Sequence, residues 1–120
     1  MRILLCDDSM TVRKKLIQQI KAVISCDIIE AKNGQMAVDA YKAHRPDFVF
    51  MDIMMPVKDG LSALTEIIEM DPKAKVIMLS SIGTKENLQK ALKVGALDFV
   101  QKPFDAEKLT NLFQNYGKEG

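Results

Sequence analysis

The sequence predicts an α/β domain: a parallel five-stranded sheet, doubly wound with helices in a (βα)5 alternation. Three observations predict it. Short apolar runs alternate with longer stretches of helical period, five times over. The connections between them are short and punctuated by glycine and proline. At 120 residues, 48% of them hydrophobic, the chain has the size and apolar content of one domain with its own core.

The elements follow in order. Ile3 to Cys6 is the first apolar run, and Leu16, Ile17, Ile20, Val23 and Ile24 form the first helical stripe. Ile28 to Ala31 comes next, with Ala37, Ala40 and Tyr41 behind it. Phe48 to Met51 precedes Leu61, Leu64, Ile67 and Ile68; Val76 to Leu79 precedes Leu88, Ala91, Leu92 and Gly95. Leu97 to Val100 and then Leu109, Leu112, Phe113 and Tyr116 complete the pattern. The first, third and fourth runs are continuously apolar, as strands covered on both faces are. Glu30 and Asp98 interrupt the second and fifth, which places those nearer the sheet edges. Each stripe recurs every three or four residues and presents one face to the sheet. Gly34 and Gly60 sit where loops hand over to helices, and Pro46, Pro72 and Pro103 mark breaks. Thr84 and Asp105 are in position to cap the last two helices. No linker, repeat or low-complexity tract divides the chain, so residues 1–120 read as a single domain.

Composition narrows the function classes. A net charge of +1 argues against a nucleic-acid partner, and the one basic triplet, Arg13-Lys14-Lys15, reads as a solvated helix face. Cys6 and Cys26 have neither metal nor redox spacing; Cys6 reads as a buried small hydrophobe and Cys26 as a loop residue. The N-terminus meets Asp7 too early for a signal peptide, and no apolar stretch approaches membrane-spanning length. A cytoplasmic protein without membrane insertion is the expectation.

In a sheet of this kind ligands bind beyond the carboxyl ends of the strands. Asp7 and Asp8 follow the first run, Asp52 the third, Ser80 and Ser81 the fourth, and Gln101 and Lys102 the fifth. Three carboxylates, two hydroxyls and an ammonium therefore converge on one edge. A lone Asp52 in its apolar setting would pass for a helix cap or a lysine partner. Three carboxylates are harder to accommodate: at roughly 6 Å and an effective dielectric near 20, each like-charged pair costs roughly 3 kcal/mol. A divalent cation relieves this, and hard oxygen ligands favour Mg²⁺ or Mn²⁺. The one histidine, His44, lies near a helix terminus and reads as a surface residue, which argues against zinc. A cation beside a carboxylate, a lysine and a hydroxyl is equipment for phosphoryl transfer. Asp52 would attack, Mg²⁺ would take one phosphoryl oxygen, Lys102 another and Ser80 the third.

Asp7-Asp8-Ser9, Asp52-Ile53-Met54-Met55-Pro56 with Asp59-Gly60, Ser80, and Lys102-Pro103-Phe104 together resemble the receiver domain of two-component response regulators. The resemblance covers essentially the whole chain and implies a flavodoxin-like sheet of order 2-1-3-4-5. It implies that Asp8, Asp52 and the Met54 backbone carbonyl ligate the metal directly, with Asp7 acting largely through a metal-bound water. It further implies a sensor histidine kinase as phosphodonor and a switch made by Ser80 and Phe99. That switch alters a protein-binding face formed by the fourth helix, fifth strand and fifth helix. Phe99 carries no hydroxyl, so burial of its ring would be the readout. Met54 and Ile82 would flank the path of the hydrolysing water; both are apolar, which implies slow self-dephosphorylation and dependence on a separate phosphatase.

The segment from Asp8 to Lys14 and the central motif resemble stand-alone chemotaxis regulators (CheY-like). A chain ending at Gly120 would then act through a protein partner. The alternative is a receiver module of a larger regulator with a DNA-binding or enzymatic output domain. An aspartate-nucleophile phosphatase would want a second carboxylate two residues after Asp52, where Met54 stands. A flavodoxin would want a phosphate-cradling loop where Asp7 and Asp8 repel phosphate. The reading is a signalling switch, not an enzyme acting on other substrates.

Overall fold

The computed structural model describes residues 1–80, 85–102 and 105–116. Five strands alternate with five helices: β1 (Arg2–Cys6), α1 (Met10–Val23), β2 (Asp27–Ala31), α2 (Gly34–His44), β3 (Phe48–Asp52), α3 (Gly60–Met70), β4 (Val76–Ser80), α4 (Lys85–Val94), β5 (Asp98–Gln101) and α5 (Ala106–Tyr116). All strand pairs are parallel, and the sheet order is β2-β1-β3-β4-β5. This is the order expected from the resemblance, with Glu30 and Asp98 on the two edge strands.

Alternation along the strands divides the core into two layers, because successive side chains point to opposite faces. Leu4, Cys6, Val49, Met51, Val76 and Met78 face one way, against Ala37, Val38, Tyr41, Ala63, Leu64, Ile67 and Ala91 of α2, α3 and α4. Ile3, Leu5, Phe48, Phe50, Ile77 and Leu79 face the other, against Leu16, Ile20, Leu109 and Leu112 of α1 and α5. Phe113 of α5 meets Phe48 edge-on at 5.3 Å and Phe50 at 6.1 Å. Burial on both faces explains why the central strands are continuously apolar.

Side-chain caps start the helices. Ser9, Asn33, Asp59 and Asp105 accept from Val12, Met36, Ser62 and Lys108 N–H groups. Asp105 therefore caps as expected, whereas Thr84 lies outside the described residues, as do Ser81, Ile82 and Pro103. Two expectations are corrected. The fourth stripe is narrower than its spacing suggests: Leu92 is 45% exposed, and Gly95 lies beyond the helix at φ 134°, a turn conformation suited to glycine. Arg13 is not a solvated residue, since only 11% of its side chain is exposed. His44 is exposed at the end of α2, as expected. No helix among the described residues is long and apolar enough to cross a membrane.

Candidate functional site

Order β2-β1-β3 means that the chain leaves β1 toward one side of the sheet and β3 toward the other. The carboxyl ends of β1 and β3 therefore bracket the switch point where such sheets bind ligands. Asp7 and Asp8 follow β1 directly, and Asp52 is the last residue of β3. Ser80 is likewise the last residue of β4, one position further into the ladder than its apolar run suggested.

Asp7 is held by every polar atom it has. Its N–H donates to the Ala31 carbonyl (3.1 Å), and its own carbonyl accepts from Arg13 Nη1 (2.7 Å). Its Oδ1 accepts from the Ser9 N–H (2.9 Å), and its Oδ2 from Lys102 Nζ (2.6 Å). Asp7 is 1% exposed and Asp52 8%, while Asp8 is open to solvent. One carboxylate oxygen of each lies within 4.8 Å of the others. Lys102 Nζ also stands 3.6 Å from Asp52 Oδ1, and the Lys102 N–H donates to the Ser80 carbonyl (2.8 Å), which fixes the base of that side chain.

The floor of the site is backbone. A Cβ on Gly60 would lie 2.0 Å from the Asp52 carbonyl oxygen, so only glycine lets α3 start so close to the strand end. Gly60 N–H donates to the Ile53 carbonyl (2.8 Å), and the Lys58 carbonyl accepts from Gly34 N–H (2.9 Å). In between, Val57 adopts φ 69°, a left-handed conformation that a β-branched residue rarely takes. The loop after Asp52 is thereby folded tightly against the starts of two helices, with Met54 76% exposed at its tip.

Burial raises the Asp52 pKa above the ordinary carboxylate value; Lys102 pulls it down, and Asp7 and Asp8 push it further up. Three carboxylates against one ammonium leave the cluster negative. Clustered carboxylate oxygens, one of them reachable from solvent through Asp8, fit a hard divalent cation. Asp7, Asp8, Asp52 and Lys102 are thus brought together as expected. Ser80 is buried at the end of the neighbouring strand. Phe99 sits on β5, in register with Met78, half-buried against the first core layer. It also lines a shallow depression with Gln101, Asp105, Lys108 and Asn111. Ile82 lies outside the described residues. Sequence reasoning missed Arg13; the signal was Glu30, a charge inside an apolar run, whose Oε1 accepts from Arg13 Nε at 3.0 Å.

Comparison with known proteins agrees with this geometry. Residues 3–114 match the response regulator receiver domain family. The chain belongs to that family. The receiver is 42% identical over 109 residues to the chemotaxis protein CheY of Bacillus subtilis, covering 90% of each chain. It superposes at a TM-score of 0.89, with 36% identity, on a chain of the CheX–CheY–BeF3–Mg²⁺ complex from Borrelia burgdorferi, covering 98% of this receiver and 90% of that chain. The response regulator domain of Thermotoga maritima CheB gives 0.86 and 31% identity, covering 100% and 98%. The receiver is therefore a CheY-like signalling domain of two-component systems.

Proposed function

We propose that Asp52 accepts a phosphoryl group from a sensor histidine kinase and that the resulting acyl phosphate switches a protein-binding face. The observation that carries this is the cluster itself: buried Asp52 beside Asp7 and Asp8, with the Lys102 ammonium reaching both Asp7 and Asp52. A carboxylate oxygen of Asp52 forms a bond to phosphorus as the phosphorus–nitrogen bond of a phosphohistidine breaks, and the imidazole leaves with the electron pair. Lys102 and Ser80 receive two of the phosphoryl oxygens. Asp7, Asp8, Asp52 and the Met54 carbonyl are the groups that would hold Mg²⁺, or Mn²⁺ in its place. Bound there, the cation supplies positive charge for the phosphoryl oxygens and offsets the repulsion among the acids.

Ser80 and Phe99 carry the switch toward the face formed by α4, β5 and α5, where a downstream protein docks. Similarity to CheY over 90% of each chain supports a stand-alone, chemotaxis-type regulator acting in the cytoplasm as a single domain of residues 1–120. Similarity to the CheB domain supports the second reading, a receiver module within a larger regulator. Apolar side chains at Met54 and Ile82 support slow self-dephosphorylation, and the likeness to a complex containing CheX supports a separate phosphatase partner. The +1 charge gives this domain no grip on nucleic acid.

Incubation with Mg²⁺ and acetyl phosphate, followed by intact mass, tests the reading. A gain of one phosphoryl group that Asp52→Asn abolishes is the expected result. No gain over a range of small phosphodonors and divalent metals would reduce the chain to a phosphate-independent interaction module.

A further inference from the structure

Arg13 reaches across the top of the sheet from the first turn of α1. Its stem is covered, and its guanidinium makes two bonds in different directions: Nη1 to the Asp7 carbonyl at 2.7 Å and Nε to Glu30 Oε1 at 3.0 Å. Glu30 sits on edge strand β2 one residue before Ala31, whose carbonyl accepts the Asp7 N–H. The peptide joining Asp7 to Asp8 is thus tied to β2 through a planar, charged fork. That peptide sets the direction in which both carboxylates leave the chain. Lys102 and Ser9 hold the Asp7 carboxylate itself, whereas among the described residues it is Arg13 that holds the carbonyl leading to Asp8.

We propose that Arg13 is a positioning residue of the acidic site: by holding the Asp7 carbonyl it pre-organises Asp7 and Asp8 to bind a divalent cation. This rests on the cation reading above. Groups that orient ligands from behind commonly change metal affinity by about 10-fold or more when removed. The sign of the effect separates positioning from plain electrostatics. Arg13 is a cation near a cation site, so if it acted through its field alone, its removal would tighten Mg²⁺ binding. If it acts by fixing the peptide, its removal loosens Mg²⁺ binding despite the lost repulsion.

Mg²⁺ titration of the full chain, followed by amide shifts, measures this in Arg13→Met, which keeps an apolar stem, and in Arg13→Lys. The dissociation constant is expected to rise by about 10-fold in Arg13→Met and by about 3-fold in Arg13→Lys, because one ammonium does not reproduce the fork. The Mg²⁺ concentration giving half-maximal phosphorylation by acetyl phosphate is expected to rise in step. Tighter or unchanged Mg²⁺ binding in Arg13→Met overturns the proposal. Should that variant not fold, unchanged binding in Arg13→Lys overturns it instead, since the charge is retained there. Failure of the unaltered chain to bind Mg²⁺ would instead overturn the cation reading and the proposal with it.

Discussion

At the scale of single residues, a carboxylate at the end of an apolar strand is unfavourable until its neighbours are counted. Burial and two acids favour the protonated form of Asp52, and Lys102 opposes them. Legibility at this scale followed reach. Asp7, Asp8, Asp52 and Lys102 could be placed because each adjoins a strand end, which backbone topology alone brings to one edge. Arg13 could not, because its role depends on a long side chain folding back over β1, and basic triplets are usually solvated. On the proposed function, Met54 would bear on the lifetime of the modification. Its side chain is 76% exposed and apolar, so it offers no hydrogen bond to an attacking water. The phosphorylated protein is expected to decay over minutes or longer after the donor is removed, followed by intact mass. Met54→Gln, with a carboxamide to orient that water, is expected to shorten the half-life by about 3- to 10-fold, roughly 1 kcal/mol of barrier. Decay within seconds in the unaltered chain would contradict this.

At the scale of elements, interrupting charges told more than the apolar residues they interrupt. Glu30 and Asp98 marked β2 and β5 as edges, and both are edges. Stripe width was harder to read: spacing alone includes Leu92 and Gly95 in α4, yet the helix ends at Val94 and Leu92 faces solvent. A polar link between helices also escaped notice. Tyr41 of α2, 2% exposed, donates its hydroxyl to Asp71 Oδ2 at the end of α3 (2.7 Å), and Arg45 stands 3.7 Å from the same oxygen. The hydrogen bond from Tyr41 is the main reason the Asp71 pKa is lowered. A carboxyl whose folded value lies below its unfolded value adds stability above the unfolded value, lost as pH falls through the folded one. Tyr41→Phe is therefore expected to cost about 1 kcal/mol near neutral pH. The deficit should narrow in acid, below about pH 4, where the charged acceptor disappears from both proteins. Denaturant unfolding at several pH values checks this; a deficit that does not vary with pH would mean that the hydroxyl matters only for packing.

At the scale of the whole molecule, the two core layers share β1, β3 and β4, so neither layer can open without exposing the backs of the same strands. Strand ladders and acidic site then unfold together, because Asp52 and Ser80 are the last rungs of β3 and β4. A ligand that binds this site only in the folded chain must stabilise the entire domain by mass action. At ten times its dissociation constant, Mg²⁺ is expected to add about 1.4 kcal/mol, roughly 5 °C in Tm for a domain of this size. Asp8 is the informative residue to change. It is exposed, so Asp8→Asn leaves no buried group without a partner, and removing one of three clustered charges relieves repulsion in metal-free buffer. Asp8→Asn should therefore melt at or above the unaltered protein without Mg²⁺ and lose most of the Mg²⁺-dependent rise. Thermal melts over a Mg²⁺ series at constant ionic strength measure both effects. An equal rise in the two proteins would place the cation elsewhere on the surface and separate the acidic cluster from metal binding.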